Sequence, residues 1–153
     1  MRQNRFKFKI DGEDVSPETV SVNDLFDIVK NLEGACAATA RDRGAQAHED
    51  LAVSLIGVST GSDLLTIATS DRMFKAASTV SHAIADNDLC RLPIPAQARV
   101  RELWCKSSAR DWKLSFLADG NGIANAAITP DNELVRPGAI SGRTTLYGIC
   151  ERI

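Results

Sequence analysis

Leu51–Thr69, LAVSLIGVSTGSDLLTIAT, carries two apolar runs around a centre rich in glycine and hydroxyls. In the first run Leu51, Val53 and Leu55 alternate with Ala52 and Ser54, the period of a strand with one greasier face. In the second, Leu65 and Ile67 alternate with Leu64, Thr66 and Ala68. Gly57-Val58-Ser59-Thr60-Gly61-Ser62-Asp63 between them holds residues that bend and satisfy turn backbone. The pattern predicts a β-hairpin with a loop of about five residues. Helical periodicity flanks it on both sides, so the hairpin organises an α+β fold rather than an all-β one.

Working outward toward the N-terminus, Leu25, Ile28, Val29, Leu32, Cys36 and Ala40 form one apolar stripe at three- and four-residue spacing. Ser21 is placed to cap that helix from the Asp24 amide, and Gly44 to end it. The small residues of Ala35–Ala40 suit close packing against a neighbour. Before it, RFKFKI at Arg5–Ile10 alternates Phe6, Phe8 and Ile10 with Lys7 and Lys9. This is a strand with one apolar and one basic face, and lysines on a terminal strand read as guards of an unpaired edge.

Toward the C-terminus, Ser70 or Asp71 caps a second helix over Arg72–Ala85, with Met73, Ala76, Ala77, Val80 and Ile84 on its apolar side. Leu92-Pro93-Ile94-Pro95 is an extended connector, because residues before proline avoid the helical region. A third helix over Ala96–Ala109 buries Val100, Leu103 and Trp104. Trp112, Leu114 and Phe116 then alternate as a strand, and Asp119-Gly120-Asn121-Gly122 is the clearest turn signal in the chain. Ile123–Thr129 returns as a short strand. A last strand is expected over Ala139–Ile153, with apolar residues on both faces. The expected fold is α+β: a mostly antiparallel sheet of about five or six strands with three helices packed on one face.

Composition limits the function classes. The 153 residues suit one domain, which at this size buries roughly 70% of its unfolded surface and folds without metal or disulfide. A net charge of −2 gives no bulk attraction to nucleic acid or anionic membrane. No apolar run reaches the roughly 18 residues of a spanning helix, and the basic N-terminus lacks an export signal's apolar segment. Cys36, Cys90, Cys105 and Cys150 form no C-x-x-C pair, so a zinc site is not indicated. Scattered cysteines without an export signal fit reduced thiols in the cytoplasm.

No catalytic constellation, cofactor motif or metal motif emerges. Gly57–Ser62 lacks the lysine of a phosphate-binding loop and is followed by a strand, not a helix. His48 stands beside Glu49 and Asp50, where a general base would sit and where a solvated loop histidine would sit equally well; it has no third partner in the sequence. Asp63 and Asp71 lie at opposite ends of one strand, too far apart to share a proton. The basic residues are more organised. Arg99, Lys106 and Arg110 line one side of the third helix, and Lys7 and Lys9 would extend that side if the first strand lay beside it. These five are the candidate binding residues, for nucleic acid or another anionic ligand. Glu102, at i,i+3 and i,i+4 from Arg99 and Lys106, offsets part of the charge.

The order of elements also resembles the N-terminal part of a group of uncharacterised bacterial proteins. The likeness rests on Gly61-Ser62-Asp63-Leu64 in the hairpin and on Ile140-Ser141-Gly142-Arg143-Thr144-Thr145-Leu146-Tyr147-Gly148 in the last strand. In that group an α+β segment precedes a small β-rich domain, and no activity follows from it. The resemblance implies an α+β domain over 1–138 and a final strand 139–153 opening a second domain. Together these readings point to a non-enzymatic interaction or scaffold module of a bacterial cytoplasmic protein. It would meet a protein partner or itself through 139–153, with no cofactor and no membrane; anion binding on the third helix is the alternative.

Overall fold

A computed structural model describes residues 4–13, 15, 19–46, 48–59, 63–118 and 120–131. The elements run β1 (Asn4–Asp11), α1 (Val22–Asp42), β2 (Ser54–Ser59), β3 (Asp63–Thr69), α2 (Asp71–Ala85), a 3-10 turn (Leu89–Arg91), α3 (Ile94–Arg110), β4 (Lys113–Leu117) and β5 (Ala126–Ile128). The fold is α+β, with a five-stranded antiparallel sheet in the order β2-β3-β1-β4-β5. The expected strand over 139–153 and the domain boundary at 138 lie outside the described residues.

The expected local signals form as read. Ser21 Oγ accepts from the Asp24 amide at 3.0 Å and opens α1. Gly44 leaves the helix at a φ of 105°, a left-handed conformation that costs glycine little. Ser70 Oγ accepts from the Met73 amide at 3.3 Å and opens α2. Gly120 and Gly122 turn the second hairpin at φ values of 82° and 101°. The first hairpin is tighter than expected: β2 continues through Gly57, Val58 and Ser59, residues assigned to the loop.

Alternation decides which side of the sheet is covered. Phe6, Phe8 and Ile10 of β1, Leu65 and Ile67 of β3, Leu114 and Phe116 of β4, and Ala126 and Ile128 of β5 are all buried. Cross-strand register brings them together, Phe6 beside Ile67 and Phe8 between Leu65 and Phe116. The Phe116 ring stacks on Phe6 at 5.7 Å and meets Phe8 edge-on at 5.1 Å. The helices cover this face, with α1 packed against both α2 and α3. Their stripes supply Ile28, Leu32 and Cys36 from α1, Met73, Ala76, Ala77 and Val80 from α2, and Ala96, Val100 and Leu103 from α3.

The strand order corrects one expectation. β1 is the central strand, paired with β3 on one side and β4 on the other, so its lysines guard no edge. Side chains stand normal to a sheet, whereas the edge lies in its plane. Lys7 and Lys9 therefore point to the face opposite the helices. Two edge strands bound the described sheet, and β2 is one of them.

The cysteines also depart from expectation. Cys36 and Cys105 are free thiols, buried and exposed respectively as the helical spacing predicts, but Cys90 is disulfide-bonded. Reduced thiols throughout is thus corrected at Cys90; Cys150 lies outside the described residues. Burial pushes the Cys36 thiol up to about 12, so it stays protonated and acts as a small hydrophobe.

Candidate functional site

α1 has two flanks, and they differ in kind. The flank toward α3 is polar and closed. Asp24 near the start of α1 is buried, and Arg110 clasps it with two hydrogen bonds of 3.0 Å each. Lys106 Nζ reaches the same carboxylate at 2.9 Å and Asp27 at 3.2 Å. The Arg110 guanidinium, with Lys106 beside it, holds the Asp24 carboxyl down at about 2, against the opposing effect of burial. One turn on, Arg99 donates to Asn31 Oδ1 at 3.1 Å and lies across Gly34. A Cβ at residue 34 would stand 2.7 Å from Arg99 Nε, so glycine leaves room for the Arg99 side chain to lie across α1 there.

This placement bears on the anion-binding residues. Lys106 and Arg110 come together, but on two carboxylates of α1 that match their charge. Lys7 and Lys9 are not brought to them, because they occupy the far face of the sheet, where Lys9 pairs with Asp11 at 3.4 Å. Arg91 is likewise held by Asp86 at 2.7 Å and Asp88 at 3.2 Å. Of the three α3 residues, Arg99 alone keeps a neutral partner. No spacing rule could foresee this, since Asp24 meets its cations across 82 and 86 residues of chain.

The histidines are placed by the loops around them. His48 is exposed, and its neighbour Glu49 is occupied: its carboxylate accepts from the Gln46 amide at 3.0 Å and pairs with Arg72 at 3.3 Å. The Gln46 amide, with Arg72 nearby, lowers the Glu49 carboxyl below its ordinary range. His82 Nε2 lies 3.1 Å from the Gly122 carbonyl and Ser78 Oγ donates to the same oxygen at 2.7 Å, so this part of α2 holds the second hairpin turn. Asp63 is buried at the start of β3, and burial raises its carboxyl above the ordinary range; Oδ1 has no hydrogen-bond partner among the described residues. Asp71, at the far end of the same strand, accepts from the Asn4 side chain. Among the described residues no group of three or more histidines, cysteines or carboxylates is gathered to hold a metal ion, and no helix is long and apolar enough to cross a membrane.

A cleft of about 520 Å³ opens between the end of α1 and the first turn of α2, lined by Ala40, Arg43, Asp71, Arg72, Lys75 and Ala76. Glu49 and Asp71 stand against its three cations, and Arg72 is already paired.

The other flank of α1 is apolar and open. Val22 and Phe26 project from the first two turns at 79% and 65% exposure. Beside them runs β2, with Leu55, Ile56 and Val58 exposed at 39%, 45% and 42%. Between helix and strand lies a groove of about 460 Å³ lined by Val22, Leu25, Phe26, Val29, Lys30, Glu33, Val53 and Leu55. Glu33 closes one end of it by accepting the Val53 amide at 2.8 Å, which ties α1 to the chain entering β2. Large apolar side chains that gather on one exposed face mark an interaction site rather than a solvated one. Sequence reasoning missed this surface. Leu55 and Leu25 fall on apolar periodicities that read as core, and only Phe26, off the stripe of α1, carried a signal.

No family model, no curated protein and no solved structure matches the chain. Its class rests on what the fold presents: an α+β domain whose most distinctive surface is the apolar face shared by α1 and the edge strand β2.

Proposed function

We propose that this chain is an interaction module that docks a protein partner on the α1–β2 face. The observation that carries the reading is Val22, Phe26 and Leu55, three large apolar residues left exposed around one groove. The groove beside them supports it, since an apolar concavity rimmed by Lys30 and Glu33 offers both a desolvated centre and a polar margin. The module acts by binding and needs no group outside this face.

Photo-crosslinking in the host cell tests the reading. A benzophenone side chain at position 26 is expected to yield a discrete adduct with a protein, lost when Leu55→Asp is added. The same group at the exposed Ala98 on α3 serves as control and is expected to yield none. Equal labelling from both positions, or no adduct at position 26, overturns it.

A further inference from the structure

Two observations on β2 go beyond an apolar patch. The strand is an edge of the described sheet, so among the described residues one row of its backbone groups faces no neighbouring strand. Residues 51–62 also contain no charged side chain and no proline, two of the devices that keep edges from pairing, and a third such device, a β-bulge, is what shapes this strand. An open edge of this kind is satisfied by another extended strand.

The bulge in β2 says which strand. Leu55 lies opposite Ile67 and Gly57 opposite Thr66, so Ile56 is an extra residue. One added residue shifts the alternation by one step. Leu55 and Val58, three apart, therefore share the helix-side face, while Ser54 and Ser59 share the other. The strand Ser-Leu-Ile-Gly-Val-Ser thus reads the same in both directions, serine, then aliphatic, then a central pair. In an antiparallel ladder, residues directly opposite lie on the same face. A two-fold axis between Ile56 and Gly57 sets Leu55 of one copy against Val58 of the other, Ser54 against Ser59, and Ile56 against Gly57, where there is no side chain to clash.

We infer that two copies of this chain join β2 to β2, antiparallel about that axis, into one continuous sheet with five described strands from each copy. The pairing rests on the reading of the α1–β2 face as an interaction surface and names its occupant. An axis normal to the sheet keeps both helix layers on the same side. Strands about 4.8 Å apart then bring the two α1 helices toward each other over the joint. Val22 and Phe26 of each copy turn toward the apolar groove of the other. The charges agree with self-docking. β2 carries none to repel its copy, and Lys30 and Glu33 lie one turn apart on α1, so antiparallel helices offer each lysine to the opposite glutamate.

Sedimentation of the full chain over a concentration series tests the pairing. The expected mass is twice 16.5 kDa, with Ile56→Lys and Phe26→Lys each weakening association tenfold or more while the melting temperature of the monomer is kept. Register is read by mixing Leu55→Cys with Val58→Cys in a Cys105→Ser background: the mixed disulfide is expected to outrun either self-linked product. A monomer at every concentration, a dimer indifferent to both lysine substitutions, or self-linked products in excess each overturn it. If position 26 crosslinks to a different protein while the pure chain stays monomeric, the interaction reading stands and the self-pairing falls.

Discussion

The two flanks of α1 invert the usual arrangement. Toward α3 the helix is polar and closed, with Asp24 and Asp27 clasped by Lys106 and Arg110. Toward β2 it is apolar and open, with Val22 and Phe26 in contact with solvent. Folding alone would favour covering the apolar flank first, because apolar area removed from water is the main driving term. Among the described residues that flank stays uncovered while ion pairs occupy the covered side, so charge in the sequence does not by itself mark the exposed surface. Lys106 and Arg110 stand out in sequence because they are charged, yet they spend that charge on Asp24 and Asp27.

The contrast can be broken most sharply in the core. Leu32→Ala, on the buried side of α1, is expected to destabilise by about 2–5 kcal/mol. Phe26→Ala, on the open flank, should change the monomer's stability by no more than about 0.5 kcal/mol. Urea unfolding of both variants makes the comparison, and a large loss at Phe26 would mean that its flank is part of the core.

Next in size is the closed flank. Asp24 has a carboxyl held at about 2 in the folded chain against an ordinary 3.8. A depressed folded value contributes stability above the unfolded value, and that stability drains away as the pH falls from 3.8 toward 2. The shift is worth at most about 2 kcal/mol, and less once screening at the half-exposed Arg110 is counted. Asp24→Asn is therefore expected to melt earlier than the parent at neutral pH, the gap closing near pH 2. A gap that persists at pH 2 would show that packing, not charge, holds this flank.

Ser21→Ala removes the cap from which both flanks begin and is expected to cost on the order of 1 kcal/mol; a melting curve superimposed on the parent's would dismiss the cap. The smallest effect is expected at Gly34. Alanine there gains about 1 kcal/mol of helix propensity but must push aside the Arg99 side chain, which is flexible enough to move. A net change within about 0.5 kcal/mol either way fits; a loss of several would mean that the α1–α3 contact is rigid at this point.

Much of the fold was legible because it is local. Ser21, Ser70, Gly44, Gly120 and Gly122 act within three or four residues of themselves, and their chemistry is the same in any context. The same holds for Phe6, Phe8 and Ile10, whose alternation names a buried face without naming neighbours. The candidate site was hardly legible. Leu55 and Val58 look like core in sequence, and their sharing of one face depends on a bulge that no periodicity announces. Lys7 and Lys9 look like an edge guard only while the strand order is unknown.

By itself, then, the sequence determined which described segments become helix or strand, where α1 and α2 are capped, and which side of each helix is apolar, since caps, turns and periodicity are short-range physics. Only the tertiary structure decided that β1 lies at the centre and β2 at an edge, that Asp24 neutralises Lys106 and Arg110, and that the apolar flank of α1 stays open. Those outcomes depend on which surfaces meet across tens of residues, and side chains that touch in space but lie 82 and 86 residues apart carry no record of one another in the chain.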